Sequence, residues 1–304
     1  MGQFIVKNIP AGDFNLDHIF DCGQCFRWDK QDDGSYTGVA MGRVVNMKVI
    51  EGCTCCQSPA TEISDQMAAI FENLKPKGNY GNITLLIDNC NEEDFLNFWK
   101  PYLDLNRDYG KIKSILSEED YIIRKAINYG YGIRILNQDL WETMVSFIIS
   151  QNNNIPRIKG CIENLASNFG TSAGIYKGKE YFNLPTPSVL AKLSIEDLGP
   201  VKLGYRARYL IETAKSVCAN GLPSNMEELS SLCGVGPKVA NCIGLFGMSK
   251  YDSFPIDVWV RRVMQTLYGI DEKDIKAMET YATENFGNYG GFAQQYLFYY
   301  IRSL

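Results

Sequence analysis

The sequence lacks several features that would assign it to a membrane, secreted or repetitive protein. No apolar stretch approaches the length needed to cross a bilayer. The first residues, Met1-Gly-Gln-Phe-Ile-Val, lack the basic and apolar segments of a secretory signal. The chain also lacks low-complexity tracts and internal repeats, which argues against an α-solenoid. We therefore expect a globular protein without a membrane partner.

The chain also lacks an excess of positive charge. It has 30 Lys and Arg residues against 35 Asp and Glu residues, for a formal net charge of −5. This balance argues against a protein that coats nucleic acid without selectivity, but it allows a local basic stripe. Positive side chains gather in four short segments, which are Arg157 and Lys159; Lys202, Arg206 and Arg208; Lys238; and Arg261 and Arg262.

The ten cysteines lack the even, regular spacing of a disulfide-rich domain. Cys22 and Cys25 form a single C-x-x-C motif, and Cys53, Cys55 and Cys56 form a compact cluster. Close cysteine pairs suit zinc, so a metal site made from these thiols is one interpretation. The other interpretation, which we favour, is that they are reduced thiols in a reducing compartment.

Length and composition indicate a soluble protein of two or three domains. The chain has 304 residues, of which 45% are hydrophobic and 21% are charged. Residues 1–115 mix strand and helix patterns, whereas helix patterns alone continue over residues 116–304. We predict an α+β N-terminal domain over the first range and a mostly α-helical region over the second.

Short runs rich in β-branched residues predict the strands of the N-terminal domain, over residues 36–41, 43–50 and 83–87. Helix patterns cover residues 62–74 and 92–102. Because Gly42 separates the first two strands by a short turn, we expect a twisted antiparallel sheet.

Helix patterns in the second region cover residues 118–129, 140–151, 155–169, 188–192, 194–198, 205–220, 224–232, 238–248, 258–268, 273–286 and 292–301. The boundary signals are Thr186-Pro187 at one start, a capping box from Ser224 to Glu227 at another, and the C-terminal glycines Gly170 and Gly247. These signals support the helical assignment independently of the hydrophobic periodicity.

A glycine-rich hairpin, Leu232-Cys-Gly-Val-Gly-Pro-Lys238, joins two of these helices. Gly234 and Gly236 lack the Cβ atoms that would keep a backbone from contacting a ligand or adopting positive φ. Their N–H groups and the unpaired donors of the next helix suit an anion such as a phosphate. Lys238 can act as a point charge or, when desolvated, as a nucleophile. The alternatives are a tight turn with purely steric glycines and a surface lysine.

Asp257 follows the hairpin lysine by nineteen residues. It precedes the helical run that begins at Val258, so its plainest role is that of a helix N-cap. A carboxylate that is fixed in this way can also be aimed at a developing positive charge. The structural and functional interpretations of Asp257 are therefore compatible.

Four further motifs occur in order along the chain, and they are Cys22-Gly-Gln-Cys-Phe-Arg-Trp28, Ser146-Phe-Ile-Ile-Ser-Gln-Asn-Asn-Asn-Ile-Pro-Arg157, Leu203-Gly-Tyr-Arg-Ala-Arg208 and Gly291-Phe-Ala-Gln-Gln-Tyr-Leu-Phe298. With the hairpin and Asp257, they make the chain resemble the 8-oxoguanine DNA glycosylase family of the helix-hairpin-helix (HhH-GPD) superfamily. The resemblance runs from residue 22 to residue 298. It implies two helical subdomains with the active-site cleft between them, and the hairpin at residues 232–238.

The resemblance implies a bifunctional DNA glycosylase and lyase that excises 8-oxoguanine from duplex DNA in base excision repair. In this family the lysine at the position of Lys238 attacks C1′ of an everted nucleotide, forms a Schiff base and permits β-elimination. Asp257 would stabilise the oxocarbenium-like sugar. We expect a monomer that binds double-stranded DNA containing oxidised guanine, in the nucleoid-associated cytoplasm of a prokaryote or the nucleus of a eukaryote.

The resemblance also assigns the recognition of the base. The Gly23 carbonyl would accept a hydrogen bond from N7–H, which oxidised guanine carries and guanine lacks. Cys242 and Phe298 would sandwich the base, and Gln294 would read its Watson–Crick edge. Without the resemblance, Gly23 is a turn glycine and Phe298 is a core aromatic.

Four residues are assigned to the DNA around the everted nucleotide. Asn152 would fill the gap that the base leaves, and Tyr205 would wedge the stack. Arg157 and Arg206 would donate to the orphaned cytosine. The structural alternatives are a helix-end cap for Asn152, a packed aromatic for Tyr205, and solvated or phosphate-binding cations for the two arginines.

Two positions depart from the family pattern. Trp259 stands where relatives often have a phosphate-contacting histidine, so we assign it no such contact. Asn241 stands where relatives often have an aspartate, which alters the field around Lys238. No cysteine follows Cys242, which argues against the related glycosylases for oxidised pyrimidines or mismatched adenine, because those carry a C-terminal four-cysteine iron–sulfur cluster. We expect no required cofactor and no metal ligand set; the hairpin carbonyls could bind a cation in the DNA complex.

Two alternatives remain open at this point. One is a glycosylase of the same fold that acts on another damaged purine. The other is a noncatalytic module that uses the hairpin only to clamp DNA. Formation of a covalent intermediate on Lys238 distinguishes the second alternative from both enzymes.

Overall fold

The computed structural model describes residues 2–51, 81–118 and 120–303. The helix predicted over residues 62–74 lies outside these ranges. Cys53, Cys55 and Cys56 lie outside them too, so the zinc hypothesis stays a prediction. Within the described ranges, no group of three or more His, Cys, Asp or Glu side chains is placed to hold a metal ion. The same ranges contain no helix that is long and apolar enough to span a membrane.

The N-terminal part of the chain forms a five-stranded antiparallel sheet of order β1-β5-β4-β3-β2. The strands are β1 (Gln3–Pro10), β2 (Trp28–Lys30), β3 (Tyr36–Ala40), β4 (Arg43–Glu51) and β5 (Asn82–Asp88). The three predicted strands are confirmed as β3, β4 and β5. The pattern missed the other two because β1 is mostly exposed or half-buried and β2 has only three residues.

Short helices cover one face of this sheet, and they are α1 (Leu16–Phe20), α2 (Glu92–Asp94) and α3 (Lys100–Tyr102), with a π-helical turn at Phe95–Trp99 between the last two. The predicted helix over residues 92–102 is thus confirmed. The Phe20 and Trp28 rings stack at 4.1 Å, and Trp28 Nε1 donates to the Tyr102 hydroxyl at 2.9 Å. These buried contacts hold both ends of the segment between α1 and β2, which carries Gly23.

The remaining helices are α4 (Tyr109–Ser117), α5 (Tyr121–Tyr129), α6 (Leu140–Ser150), α7 (Ile155–Phe169), α8 (Pro187–Leu190), α9 (Arg206–Asn220), α10 (Met226–Ser230), α11 (Pro237–Gly247), α12 (Val258–Tyr268), α13 (Ile275–Phe286) and α14 (Gly290–Ile301). Apart from α4, each matches a predicted helix. The division into residues 1–115 and 116–304 stays a prediction, and α4 crosses it.

The helix predicted over residues 194–198 is wrong. Ser194 and Asp197 hydrogen-bond to each other instead: Asp197 Oδ2 accepts from the Ser194 N–H at 2.8 Å, and Ser194 Oγ accepts from the Asp197 N–H at 3.1 Å. Local bonds of this kind compete with a helix for the backbone donors. The segment forms turns that lead into a single 3₁₀ turn at Gly199–Val201.

The absence of strands after residue 116 is also a wrong prediction. A two-stranded hairpin, β6 (Ser172–Tyr176) and β7 (Lys179–Phe182), follows α7. Its two turn residues, Lys177 and Gly178, have φ of 48° and 78°, as tight hairpins require. The Tyr176 hydroxyl donates to Asp88 Oδ2 at 3.0 Å, so the hairpin packs against the N-terminal sheet.

The predicted capping box is shifted by one residue. Asn225, not Ser224, is the N-cap of α10, and its side chain accepts from the Glu228 N–H at 2.9 Å. Glu228 in turn accepts from the Ser224 N–H at 2.7 Å. Asparagine caps a helix as well as serine does, and Glu228, three residues after Asn225, accepts from the N–H of the residue before the cap. The start of α8 at Thr186-Pro187 is confirmed.

Candidate active site

The predicted hairpin joins α10 to α11 and depends on a glycine at one position. Gly234 has φ of +77°, and a Cβ atom there would lie 2.4 Å from side-chain atoms of Tyr209. The Val235 N–H closes the turn by donating to the Leu232 carbonyl at 3.1 Å. Gly234 is therefore required by the conformation of the hairpin and by the packing of α9 against it.

Gly236 is different, because the protein itself does not require a glycine there. Its φ of −82° and ψ of 175° suit any residue, and a Cβ atom would meet nothing within 4 Å. Gly236 is the N-cap of α11 and supplies no side-chain cap, and Pro237 follows with no N–H of its own. The result is an exposed helix start with open space, which suits an approaching anion.

A cavity of about 610 Å³ lies between the start of α11, the start of α12, the middle of α14 and the segment after α1. It brings together the predicted catalytic and base-recognition residues, which are Gly23, Lys238, Cys242, Asp257, Gln294 and Phe298. They come from four segments that are far apart in sequence. A volume of this size accommodates a small ligand such as a nucleobase with its sugar.

Lys238 is half-buried on the wall of this cavity. Its Nζ atom lies 5.6 Å from the centroid of the Phe147 ring, which provides an apolar face beside the amine. Cys242 follows one helical turn later on α11. Burial raises the pKa of the Cys242 thiol, and the neighbouring Lys238 lowers it by less. Cys242 is therefore a neutral, apolar wall rather than a thiolate.

Asp257 is the N-cap of α12, as predicted: its Oδ1 accepts from the Val260 N–H at 2.9 Å. Burial raises the pKa of Asp257, while the Val260 N–H and the charge of Lys238 act against this rise. The carboxylate and the amine line the same cavity. A half-buried carboxylate that is held by a helix terminus is well placed to act on a positive charge formed there.

The turn at Gly23 contacts the opposite wall of the cavity. Gly23 has φ of +78°, and a Cβ atom there would lie 3.0 Å from Cε1 of Phe298. The next residue, Gln24, is buried and donates to the carbonyls of Ile19 and Arg134, each at 2.8 Å. These bonds hold the turn in place, and the Gly23 backbone lies close to the edge of the Phe298 ring.

The predicted DNA-contacting residues lie outside the cavity lining. Asn152 is exposed at the tip of the turn between α6 and α7, with φ of +45°. Tyr205 is 50% exposed at the start of α9, where its ring packs edge-on against Tyr209. Arg157 is exposed, and its Nη2 donates to the Lys202 carbonyl at 3.4 Å. All three side chains remain accessible to a large ligand.

Arg206 has a different environment from the other arginine. It is only 4% exposed, and its guanidinium donates to the carbonyls of Gln151, Asn152 and Leu203. In this structure Arg206 holds the backbone of the Asn152 turn through these hydrogen bonds. Its predicted contact with cytosine would require the loss of some of these bonds.

Two family models match the chain in succession. Residues 6–144 match the 8-oxoguanine DNA glycosylase, N-terminal domain, and residues 145–287 match the HhH-GPD superfamily base excision DNA repair protein. MBOgg1, solved in complex with a low affinity DNA ligand, is 42% identical and superposes with a TM-score of 0.85 over 100% of this chain and 96% of that one. The chain belongs to the 8-oxoguanine DNA glycosylase family.

Other family members show the same similarity. The Clostridium acetobutylicum 8-oxoguanine glycosylase/lyase, in complex with dsDNA containing cytosine opposite to 8-oxoG, is 40% identical with a TM-score of 0.84, over 99% of this chain and 96% of that one. The Saccharomyces cerevisiae N-glycosylase/DNA lyase is 37% identical over 172 residues, or 49% of this chain. That match spans only 46% of the yeast protein. The family and fold inferred from the motifs are confirmed.

In this family member, several cavity residues had no role in the sequence prediction, and they are Asp21, Phe147, Trp259, Gln295 and Arg302. Helical spacing provides a signal for two of them. Arg302 lies one turn after Phe298 along the α14 direction, and Gln295 adjoins Gln294. Asp21 and Trp259 each lie two residues from a predicted site residue, Gly23 and Asp257 respectively. Phe147 lies on α6, and only the fold brings it to the cavity.

Proposed function

We propose that this protein is a bifunctional DNA glycosylase and lyase that everts 8-oxoguanine from duplex DNA, releases the base and cleaves the strand. One observation carries the proposal: the half-buried amine of Lys238 and the carboxylate of Asp257 line one cavity, together with the apolar side chains of Cys242 and Phe298. An amine nucleophile, an anionic partner and apolar walls for the base are what excision of a flipped base requires.

The chemistry follows from the positions of these two side chains. The unprotonated amine of Lys238 attacks C1′ of the everted nucleotide, and the C1′–N9 bond breaks with its electron pair leaving on the base. The carboxylate of Asp257 stabilises the positive charge that develops on the sugar. Opening of the sugar ring gives a Schiff base between Lys238 and C1′. Loss of a C2′ proton then expels the 3′ phosphate by β-elimination.

Selection of the oxidised base would depend on the Gly23 carbonyl. This carbonyl accepts from N7–H of 8-oxoguanine, whereas the N7 lone pair of guanine repels it. Gly23 lies next to Phe298, so a base stacked on the Phe298 ring would lie near the Gly23 turn. A hydrogen bond of this kind contributes about 1 kcal/mol, and an unpaired partner costs about 1–3 kcal/mol more.

The partner in this proposal is double-stranded DNA, bound by a monomer. The exposed start of α11 at Gly236 would take a backbone phosphate, and Asn152, Tyr205 and Arg157 would contact the duplex around the vacated position. The scheme needs no metal or redox cofactor, since an amine and a carboxylate supply its chemistry. Cation binding by the hairpin carbonyls, and the cytoplasmic or nuclear location, stay predictions.

Incubation with end-labelled duplexes tests the proposal. A duplex with 8-oxoguanine opposite cytosine should release the free base and be cut at the lesion, and borohydride should trap a covalent complex. A matched duplex with guanine should remain intact. Release of a different damaged purine in preference to 8-oxoguanine would favour the same-fold alternative. Tight binding without base release or trapping would favour a noncatalytic clamp.

A further inference from the structure

Arg302 is a charged side chain of the cavity that the proposed reaction does not yet use. The charged residues of the cavity lining are two cations, Lys238 and Arg302, and two acids, Asp21 and Asp257. Among the described residues Arg302 has no ion-pair partner, and its hydrogen bond runs from Nη1 to the Asp21 carbonyl at 2.8 Å. Its Nε and Nη2 atoms are not among the buried atoms without a partner, so they keep accessible surface. Arg302 can therefore donate to an oxygen of a bound ligand.

Arg302 continues a row of cavity-lining side chains on α14. Gln294, Phe298 and Arg302 are spaced by four residues, so they follow one another along one face of the helix. The helical backbone extends to Arg302, the C-cap, which has φ of −67° and ψ of −15°. Eight residues of helix rise by about 12 Å, so Gln294 and Arg302 lie at opposite ends of the row. The guanidinium is 5.5 Å from the centroid of the Phe298 ring. A base stacked on that ring therefore lies between an amide at one end and a cation at the other.

The Gly23 turn lies at the Arg302 end of this row, because Arg302 donates to the carbonyl of Asp21, two residues before Gly23. In the proposed complex the Gly23 carbonyl accepts from N7–H of 8-oxoguanine, which has O6 on one side and O8 on the other. Gln294 Oε1 already accepts from the neighbouring glutamine at 2.8 Å, so the amide of Gln294 offers donors, which suit O6. The acceptor at the Arg302 end is then O8.

We infer that Arg302 donates a hydrogen bond to O8 of the everted base and stabilises the base as it leaves. This inference rests on the proposed excision of 8-oxoguanine. When the C1′–N9 bond breaks, its electron pair moves onto N9, which is bonded to C8, so the negative charge is shared with O8. Arg302 donates to O8 without transferring a proton, and the released base later takes a proton from water. The charge on O8 grows as the bond breaks, so this hydrogen bond is strongest in the transition state.

The test compares 8-oxoguanine with 8-thioguanine, which keeps N7–H and replaces O8 with sulfur, a weaker acceptor. Single-turnover rates of base release are measured with saturating enzyme, on duplexes carrying each base opposite cytosine, for the wild-type protein and Arg302→Met. We expect the substitution to slow release of 8-oxoguanine about tenfold and release of 8-thioguanine less than about twofold. If Arg302 only ties the Gly23 turn to α14, both rates fall by the same factor. Equal losses for the two bases therefore overturn the inference.

Two further variants complete the test. Arg302→Lys keeps the charge and covers the case in which Arg302→Met does not fold; its altered donor should still slow release of 8-oxoguanine more than release of 8-thioguanine. Lys276→Met removes an exposed cation of α13 outside the cavity lining and should change neither rate. The wild-type protein separates this inference from the proposed function. If it does not release 8-oxoguanine, the proposed function fails; if it does and each Arg302 variant slows both bases equally, only the role of Arg302 fails.

Discussion

Arg302 Nη1 donates a hydrogen bond of 2.8 Å to the carbonyl oxygen of Asp21. The same guanidinium lies 5.5 Å from the centroid of the Phe298 ring. Both Asp21 and Phe298 line the cavity, and Asp21 is two residues before Gly23. Arg302 thus ties the end of α14 to the turn that carries the proposed base-reading carbonyl. It connects two walls of the site that lie at opposite ends of the sequence.

Arg302→Met should loosen this connection and lower kcat/KM for 8-oxoguanine about tenfold, because a charged donor to a carbonyl contributes about 1.5–3 kcal/mol. Cleavage of a preformed abasic site should fall much less, since no base has to be held there. Arg302→Lys keeps the charge and a donor and should recover part of the loss. Equal losses in base release and abasic-site cleavage would argue against a positioning role.

Gly234 and Gly236 form a matched pair for testing the hairpin. Gly234→Ala should lower the free energy of unfolding by about 2 kcal/mol or more, because alanine is strained at positive φ and its Cβ meets Tyr209. Gly236→Ala should change stability by less than about 0.5 kcal/mol, since its conformation suits any residue. Its methyl group should instead weaken binding to abasic duplex DNA about tenfold. Denaturant unfolding measures stability, and fluorescence anisotropy measures DNA binding. A loss of stability in Gly236→Ala and a loss of binding in Gly234→Ala would refute the phosphate site.

Asp257→Asn separates the charge of the side chain from its capping role. Asparagine caps a helix as well as aspartate does, and burial opposes the charge, so stability at pH 7 should be unchanged or higher. Base release should nevertheless fall about 100-fold or more, because the stabilising charge is gone. Thermal unfolding and single-turnover kinetics on the same preparation test this. A large loss of stability with modest loss of rate would make Asp257 a structural residue only.

The pH dependence of the wild-type enzyme follows from the same carboxylate. Its pKa is raised above the ordinary value of 3.8, so the acid limb of base release should lie above pH 3.8 and be absent in Asp257→Asn. The stability that this carboxyl contributes changes with pH in the direction opposite to that of an ordinary aspartate, whose pKa is lowered in the folded state. The proton is held more tightly in the folded state, so the stability it contributes is present below pH 3.8 and is lost as pH rises through the raised pKa.

Glu142, on α6, gives a second pH dependence away from the reaction. Burial raises the pKa of Glu142 to about 7, against the opposing charge of Arg27. The folded protein therefore holds this proton from pH 4.5 to about 7, and the associated stability is lost as pH rises through about 7. At pH 8 the free energy of unfolding of Glu142→Gln, measured with denaturant, should exceed that of wild type by about 2 kcal/mol. At pH 5 the two free energies of unfolding should be nearly equal. An equal difference at both pH values would assign the effect to packing.

The sequence predicted elements best where local signals agreed with the tertiary structure. Helix α7 has its predicted bounds because Asn154 caps its start and Gly170 ends it. The 194–198 segment has a helical composition, but Ser194 and Asp197 use their side chains on each other's N–H groups. Hairpin β6–β7 was missed because a positive φ at Lys177 has no clear sequence signal.

The candidate site could be predicted only partly from local patterns. The hairpin and Asp257 follow from their own segments, whereas the contact between Gly23 and Phe298 follows only from the resemblance to a family. Arg206 shows the limit most clearly. Its sequence context is that of an exposed cation on a mixed helix, and only the fold buries it against the carbonyls of the Asn152 turn.

The most direct test of the account is to locate the covalent bond. Borohydride reduction during turnover of an 8-oxoguanine duplex, followed by proteolysis and mass spectrometry, identifies the modified peptide. The sugar remnant should be on Lys238. Lys238→Gln should bind the duplex but form no adduct, whereas Lys250→Gln, which changes an exposed lysine shortly after α11, should form the adduct normally. An adduct on another amine, or base release with strand cleavage by Lys238→Gln, would contradict the role of Lys238 as the nucleophile.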